Sequence, residues 1–227
     1  MSLRNTQEER TFASILADGK IHVAVPDGTP GSVVRVFKNS QTGLEGKKTE
    51  MVYTEVIGKI TKVSFYEGDY GKQLQLTVQG KEGEKPTVLS LGTSSNYGED
   101  MMKKLPNIDL EKYIKIVPYS FVDEKGKSKK GITVWQKSDE TGKNEKVKNY
   151  FYDEEKKKNL HGFPVPKKLK NDKPLSTDQW KLYFGECREF LVEFITEKYK
   201  IEDTGAKVST ADQDFEVLVN EVETLMD

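Results

Sequence analysis

Cysteine, histidine and long apolar runs are all scarce in this chain of 227 residues. Cys187 is the single cysteine, so no intramolecular disulfide can form. Added to His22 and His161, it makes too small a set for a Cys/His zinc centre. No stretch approaches the roughly 18 consecutive apolar residues that cross a bilayer, so no membrane partner is expected. The opening MSLRNTQEERTF lacks the apolar core of a signal peptide. With no export signal and no disulfide, the expected location is the cytoplasm. Also absent are a GxxxxGK[ST] phosphate loop and a GxSxG nucleophile turn. Aspartate and glutamate are plentiful but scattered among lysines, so no catalytic acid pair can be picked out. A metal-dependent nuclease would need a cluster of carboxylates, and no ordered motif supplies one. The chain is therefore read as a binding protein without catalysis or cofactor.

What is abundant is charge, at 32% of residues against 35% hydrophobic. The net charge of −1 hides an asymmetry. From Ile201 to Asp227 there are eight acidic residues and one lysine, so the preceding 200 residues are net basic. A basic body with an acidic C-terminal segment fits a protein that handles nucleic acid, and fits equally a soluble protein with a charged tail.

Periodicity points to a mainly β chain. Phe12 to Leu16 and Lys20 to Val25 flank Asp18-Gly19, a hairpin signal, and Ser32 to Phe37 reads as a third strand. Asn39 to Glu50 is polar and glycine-containing and reads as a loop. From Val52 to Tyr66 the apolar parity changes. Val56, Gly58 and Ile60 share one phase and Val63 and Phe65 the other, which predicts a β-bulge near Thr61. Leu74, Leu76 and Val78 alternate with polar residues, and Thr87 to Leu91 follows as a strand. Ser94 or Ser95 can cap a helix to about Lys104; Tyr113 to Phe121 and Gly131 to Gln136 are the next two strands.

This order, β-β-β-α-β-β, is the connectivity of the OB-fold, a five-stranded, partly open barrel that binds oligonucleotides or oligosaccharides on one face. The expected architecture is such a barrel over residues 52–137, with N-terminal strands over 1–51 that extend or cover it. A lysine-rich extended arm over 138–175 follows, then C-terminal helices with an acidic tail over 176–227. The first of these helices is marked by the capping box Ser176-Thr177-Asp178-Gln179 and an apolar stripe from Trp180 to Ile195. A second reads from near Thr210, with Phe215, Leu218, Val219, Val222 and Leu225 on one stripe.

The outward positions of the first two barrel strands include Lys59, Lys62, Tyr66, Gln73 and Gln75, with Tyr70 and Lys72 at the turn between them. Cations follow phosphates and aromatics stack on bases whatever the sequence, so this mixture suits a single strand of nucleic acid. An ordinary solvated sheet face has the same composition. The loop Asp123 to Lys130 carries Lys125, Lys127, Lys129 and Lys130, placed to clamp a phosphate backbone, and also fit to be a solubilising hairpin tip. Trp135, after that loop, is the third preferred stacking residue beside Tyr66 and Tyr70. Lys156 to Lys173 holds seven lysines against Asp172 and could wrap a strand.

IGKITKVSFYEGDYGKQLQLTV (Ile57 to Val78), LSLGTSSNYGEDMMKKLPNIDLEKYIKIVPYSF (Leu89 to Phe121) and GITVWQ (Gly131 to Gln136) together resemble the single-stranded DNA-binding proteins of tailed bacteriophages. The resemblance covers a third to a half of the chain. It implies an OB-fold, sequence-independent binding and protection of single-stranded DNA in phage replication or recombination, and a location in the host cytoplasm. It also implies that the acidic C-terminal segment recruits replication proteins. The ending Leu225-Met226-Asp227 departs from the family, whose tip is usually disordered and acidic. The alternative is an OB-type protein-interaction or virion component that binds no nucleic acid.

Overall fold

A computed structural model describes residues 10–38, 43–68, 71–166 and 175–202. The described chain is mainly β, with one large mixed sheet and two α-helices. The sheet begins with β1 (Thr11–Ile15), β2 (Ile21–Ala24), β3 (Val33–Lys38) and β4 (Glu45–Tyr53). It continues with β5 (Val56–Gly68), β6 (Gly71–Gln79), β7 (Thr87–Gly92), β8 (Ile114–Val122), β9 (Ser128–Lys137) and β10 (Asn144–Lys146). In space the order is β10-β9-β8-β5-β6-β7-β1-β2-β4-β3. All neighbours are antiparallel except β1 and β7, which run parallel with Ser14 opposite Ser90.

The long strand β5 serves two neighbours. Val56 to Gly58 pair with β8, and Lys59 onward pairs with β6. Ile60 lies opposite Val78 and Lys62 opposite Thr77, so Thr61 is the extra residue of the expected bulge. Gly58 marks the closest approach. A Cβ there would meet the Gln79 carbonyl oxygen and the Val78 side chain, which leaves room only for hydrogen.

Strands, helix and strands follow one another over residues 56–137 as the sequence predicts. No closed barrel is found among the described residues. Closing five strands would require β7 to pair with β9. The free edge of β7 is instead taken by β1, and that of β9 in part by β10. Helix α1 (Asn96–Lys104) sits at the seam. Its Asp100 carboxylate accepts from the Ile132 N–H at 2.7 Å, and the Lys104 ammonium donates to the Ile132 carbonyl, so α1 satisfies the edge of β9. At its start, Ser95 accepts from the Gly98 N–H, and Gly98 packs against the Gly92 carbonyl of β7. The N-terminal strands thus extend the sheet. The core lies inside the curl, where Ile60, Leu74, Leu76, Leu89, Ile114, Ile116, Ile132 and Val134 meet Met101, Met102 and Leu105.

Two expectations need correction. The segment Asn39 to Glu50 is not wholly a loop: β4 begins at Glu45 and is paired on both sides, by β2 and β3. Nor is the lysine-rich segment simply an extended arm. It includes β10 and a small hairpin of β11 (Tyr152–Asp153) and β12 (Lys158–Asn159). Phe151, only 1% exposed, packs at 4.9–5.6 Å against Tyr150, Phe163, Phe190 and Phe194. These rings fasten α2 (Thr177–Tyr199) to the body. The Tyr150 N–H donates to the Lys103 carbonyl at 2.8 Å, and the Tyr199 hydroxyl donates to that of Leu105 at 2.8 Å. Burial pushes the Tyr199 phenol up to about 12. The capping box at Ser176 and Gln179 is present, and Lys200 ends α2 in the left-handed conformation. Toward its start, however, Trp180, Leu182 and Phe184 are exposed, so the apolar stripe outruns the core. Lys167 to Lys173 and the proposed second helix lie outside the described residues. Among the described residues no helix is long and apolar enough to cross a membrane.

The N-terminal strands carry a buried ionic network. Glu50 accepts from Arg35 Nε at 3.0 Å and Nη2 at 2.9 Å, and lies 2.9 Å from His22 Nδ1. Burial alone would raise the Glu50 pKa. The Arg35 and His22 hydrogen bonds and charges outweigh it and hold the carboxyl below its ordinary 4.5. A depressed folded pKa means stability that is present above 4.5 and lost as pH falls through the folded value. Wild type should therefore exceed Glu50→Gln in melting temperature at neutral pH, and the gap should narrow as pH drops below about 4. A gap that stays constant down to pH 2 would show that the carboxylate charge is not what stabilises this site.

Candidate nucleic-acid interface

Alternation sorts the strand residues onto two faces. On β8, Ile114, Ile116 and Pro118 point to the core, so Lys115, Val117, Tyr119 and Phe121 point outward. Pro118 is tolerated because its partner Ile132 directs its own N–H and carbonyl to α1. On β9 the outward set is Lys129, Gly131, Thr133, Trp135 and Lys137, and β10 adds Asn144 opposite Lys137 and Lys146 opposite Trp135. Beyond Lys115 the face continues onto β5 through Ile57 and Lys59.

The result is a row of alternating cations and rings. Lys59 Nζ lies 5.8 Å from the Tyr113 ring centre, and Lys146 Nζ 5.3 Å from that of Trp135. Tyr119 and Phe121 are 5.8 Å apart. Each cation over a ring gains from the ring's negative face and keeps the ring oriented. Two open clefts flank Trp135. One of about 590 Å³ is lined by Lys59, Lys112, Tyr113 and Lys137 together with the acids Glu111 and Asp139. The other, of about 510 Å³, is lined by Tyr119, Phe121, Asp123, Lys129, Thr133 and Lys146. From Lys129 to Lys137 the row is roughly 26 Å long at about 3.3 Å per residue. Hydrogen bonding and charge from Asp139, then Asp109, raise the Lys112 pKa, so that cation is already engaged at the rim. Burial and the nearby Asp100 carboxylate raise the Tyr119 phenol, which stays protonated near neutral pH.

Of the residues singled out in the sequence, Lys59, Lys129 and Trp135 fall on this row. Lys125 and Lys127 are exposed at the β8–β9 tip, where Asp123 accepts from both of their backbone N–H groups at 2.9 Å. Lys130 is half-buried and has the opposite phase from Lys129. Lys62 and Tyr66 lie on the outward face of β5 beyond the bulge, a separate patch adjoining the row at Lys59. Gln75 there donates to the Ser90 hydroxyl at 3.3 Å. One reading on β6 needs correction. Gln73 is 5% exposed, and its side-chain oxygen has no hydrogen-bond partner among the described residues, so it is not a surface contact. Lys72 is exposed at the start of β6, has the phase of Leu74 and lies 6.0 Å from the Phe65 ring. Tyr70 lies outside the described residues.

The sequence reading missed Tyr113, Lys115, Lys137 and Lys146 as site residues. Tyr113 and Lys115 lie in a strand already recognised and Lys137 directly follows another; alternation from Trp135 would have marked Lys137, whereas Lys115 comes beside Trp135 through the pairing of β8 with β9. Lys146 had no such signal, because Asn-Glu-Lys carries no strand pattern and its position depends on pairing with β9.

No protein-family pattern, curated protein or solved structure matches the chain.

Proposed function

We propose that this protein binds single-stranded DNA without sequence preference, through the outward row on β5, β8, β9 and β10. The observation that carries the reading is the alternation along one face of four lysines, Lys59, Lys129, Lys137 and Lys146, with Tyr113, Tyr119 and Trp135, beside two open clefts. Lysines spaced along an extended surface suit a phosphate chain, and rings between them suit unpaired bases, whose faces duplex DNA conceals. On this reading residues 56–137 are an OB-type sheet whose seam is bridged by α1 and whose β8–β9 hairpin borders the ligand. Protection of unpaired DNA during phage replication or recombination, with replication proteins recruited by the acidic C-terminal segment, belongs to the same proposal. It rests on the family resemblance and the charge asymmetry.

A mobility shift with poly(dT), duplex DNA and single-stranded RNA tests the ligand class, and poly(dT) is expected to bind most tightly. The affinity should fall linearly on a log–log salt plot with a slope of about −0.7 per phosphate neutralised, hence about −3 for four contacts. A slope near zero, or preference for duplex, would overturn the reading.

A further inference from the structure

The β8–β9 hairpin reaches beyond the rest of the sheet. β5 pairs with β8 no further than Ile116, and β10 pairs with β9 only from Trp135 to Lys137. Among the described residues, Val117 to Val122 and Ser128 to Val134 therefore have only each other as strand neighbours, in unbroken antiparallel register. The ribbon is held at both ends. Near its base, Gly19 of the β1–β2 turn lies so close to the Ser120 backbone that a side chain there has no room. At its tip, the Asp123 carboxylate fixes the Lys125 and Lys127 N–H groups. The Asp123 N–H donates to the Lys127 carbonyl at 2.9 Å, and the Gly126 N–H donates to the Asp123 carbonyl at 2.9 Å. This preformed tip is apolar and basic at once. Phe121 is 54% and Val122 68% exposed, on opposite faces of the ribbon. From Asp123 to Lys130 four lysines stand against two acids, and Asp123, 4.0 Å from Lys129, is engaged within the turn.

Resting on the reading of the row as a single-strand site, we propose that this ribbon docks on the end of a duplex where an unpaired strand leaves it, so that the preferred ligand is a junction of single-stranded and double-stranded DNA. The side of a duplex presents phosphates and base edges, and the flat apolar face of a base pair is bare only where the stack ends. An exposed ring beside lysines matches that surface. Phe121 covers the last pair, and the lysines of the tip meet the phosphates around it. Phe121 also lies in line with the row, 5.8 Å from Tyr119, so the strand that leaves the duplex passes directly onto it. Val122, on the opposite face, is left for the complementary strand, and the ribbon stands between the two as they part. The tip borders only one end of the row, and a phosphate chain has direction. A fixed row therefore accommodates a junction with only one polarity of overhang.

The test compares the full chain's affinity for oligo(dT), for a duplex carrying the same oligo(dT) as a 5′ overhang, and for one carrying it as a 3′ overhang, all at one salt concentration. One polarity of overhang should bind more tightly than oligo(dT) alone, by at least about 5-fold if one ring stacks on the terminal pair. Extra duplex phosphates alone would favour both polarities equally. Phe121→Ser, changed at an exposed position, should melt like wild type and abolish the gain, whereas Phe121→Tyr keeps the ring and should keep the gain. The readout is the ratio of junction to single-strand affinity, so any loss common to both ligands cancels. A wild type that binds oligo(dT) without a junction gain, a gain equal for the two polarities, or a ratio unchanged in Phe121→Ser would each overturn this inference and leave the single-strand reading standing. A wild type that does not bind oligo(dT) would overturn both.

Discussion

Alanine in place of Trp135 is expected to weaken binding of oligo(dT) by about 1–3 kcal/mol, a loss of roughly 5- to 150-fold. Trp135 is half-buried near the end of β9, between the two clefts, with Lys146 over its ring. A base stacking there would gain a flat, pre-oriented surface, and Lys146 stands beside it to meet the adjoining phosphate. Trp135 and Trp180 are the only tryptophans, so fluorescence can locate the contact. Oligo(dT) should quench the wild type, and Trp135→Phe should abolish most of that quenching while retaining most of the affinity. Quenching that survives in Trp135→Phe would transfer the contact to Trp180 at the start of α2, and the row on β9 would not be the binding face. An alanine variant that binds normally but melts lower would make Trp135 a packing residue.

Phe151→Ala is expected to have the largest effect on stability, about 3–5 kcal/mol. Five aromatic side chains, those of Tyr150, His161, Phe163, Phe190 and Phe194, lie within 6.4 Å of its ring centre, and the ring is 1% exposed. For a chain of this length the melting temperature should fall by roughly 6–20 °C. Because the cavity would open between α2 and the segment that fastens it, hydrogen exchange should accelerate first in α2 and in Val147 to Phe163, with β5 and β6 still protected. An unchanged melting temperature would mean that the aromatic cluster is an incidental contact.

Where side-chain pattern and backbone structure coincide, the fold could be read from the residues. The parity flip between Ile60 and Val63 located the bulge, because a strand has only two faces and an extra residue must exchange them. Ser95 and Ser176 were legible as caps because an orphan N–H at a helix start needs an oxygen. The misses share a cause. In β4, Gly46, Lys47, Lys48 and Thr49 look like loop residues, yet the strand lies between β2 and β3, held by main-chain pairing that leaves no mark on side-chain polarity. Phe151 is one ring in a polar stretch, and nothing local reveals that Phe190 and Phe194 converge on it. The helical period gave the stripe on α2 correctly but could not tell that the core stops near Cys187 and leaves Trp180 and Phe184 exposed. The order of strands and helix was legible, but the partner of the β7 edge, which is β1, depends on long-range pairing that no local pattern encodes. The candidate site was half legible for the same reason: alternation marked Lys59 as outward and the basic loop after β8 drew attention to Lys129 and Trp135, while Gln73 was covered by neighbours no periodicity reveals.

The parallel pairing of β1 with β7 sets an order of events during synthesis. Thr11 to Ser14 must find Thr87 to Ser90, about 76 residues later in the chain. At about 5–20 residues per second, β1 leaves the ribosome roughly 4–15 s before its partner strand is made. In that interval it has a local alternative, since β2 follows directly and pairs with Ser14 opposite His22. The first four strands can therefore assemble as a small sheet and wait with one side of β1 unpaired, at risk of pairing with the nascent chain next to it. Completion comes as a docking event once β7 emerges. Non-local closure of this kind is slow relative to helix and hairpin formation, so the seam between β1 and β7 is the natural place for a rate-limiting step.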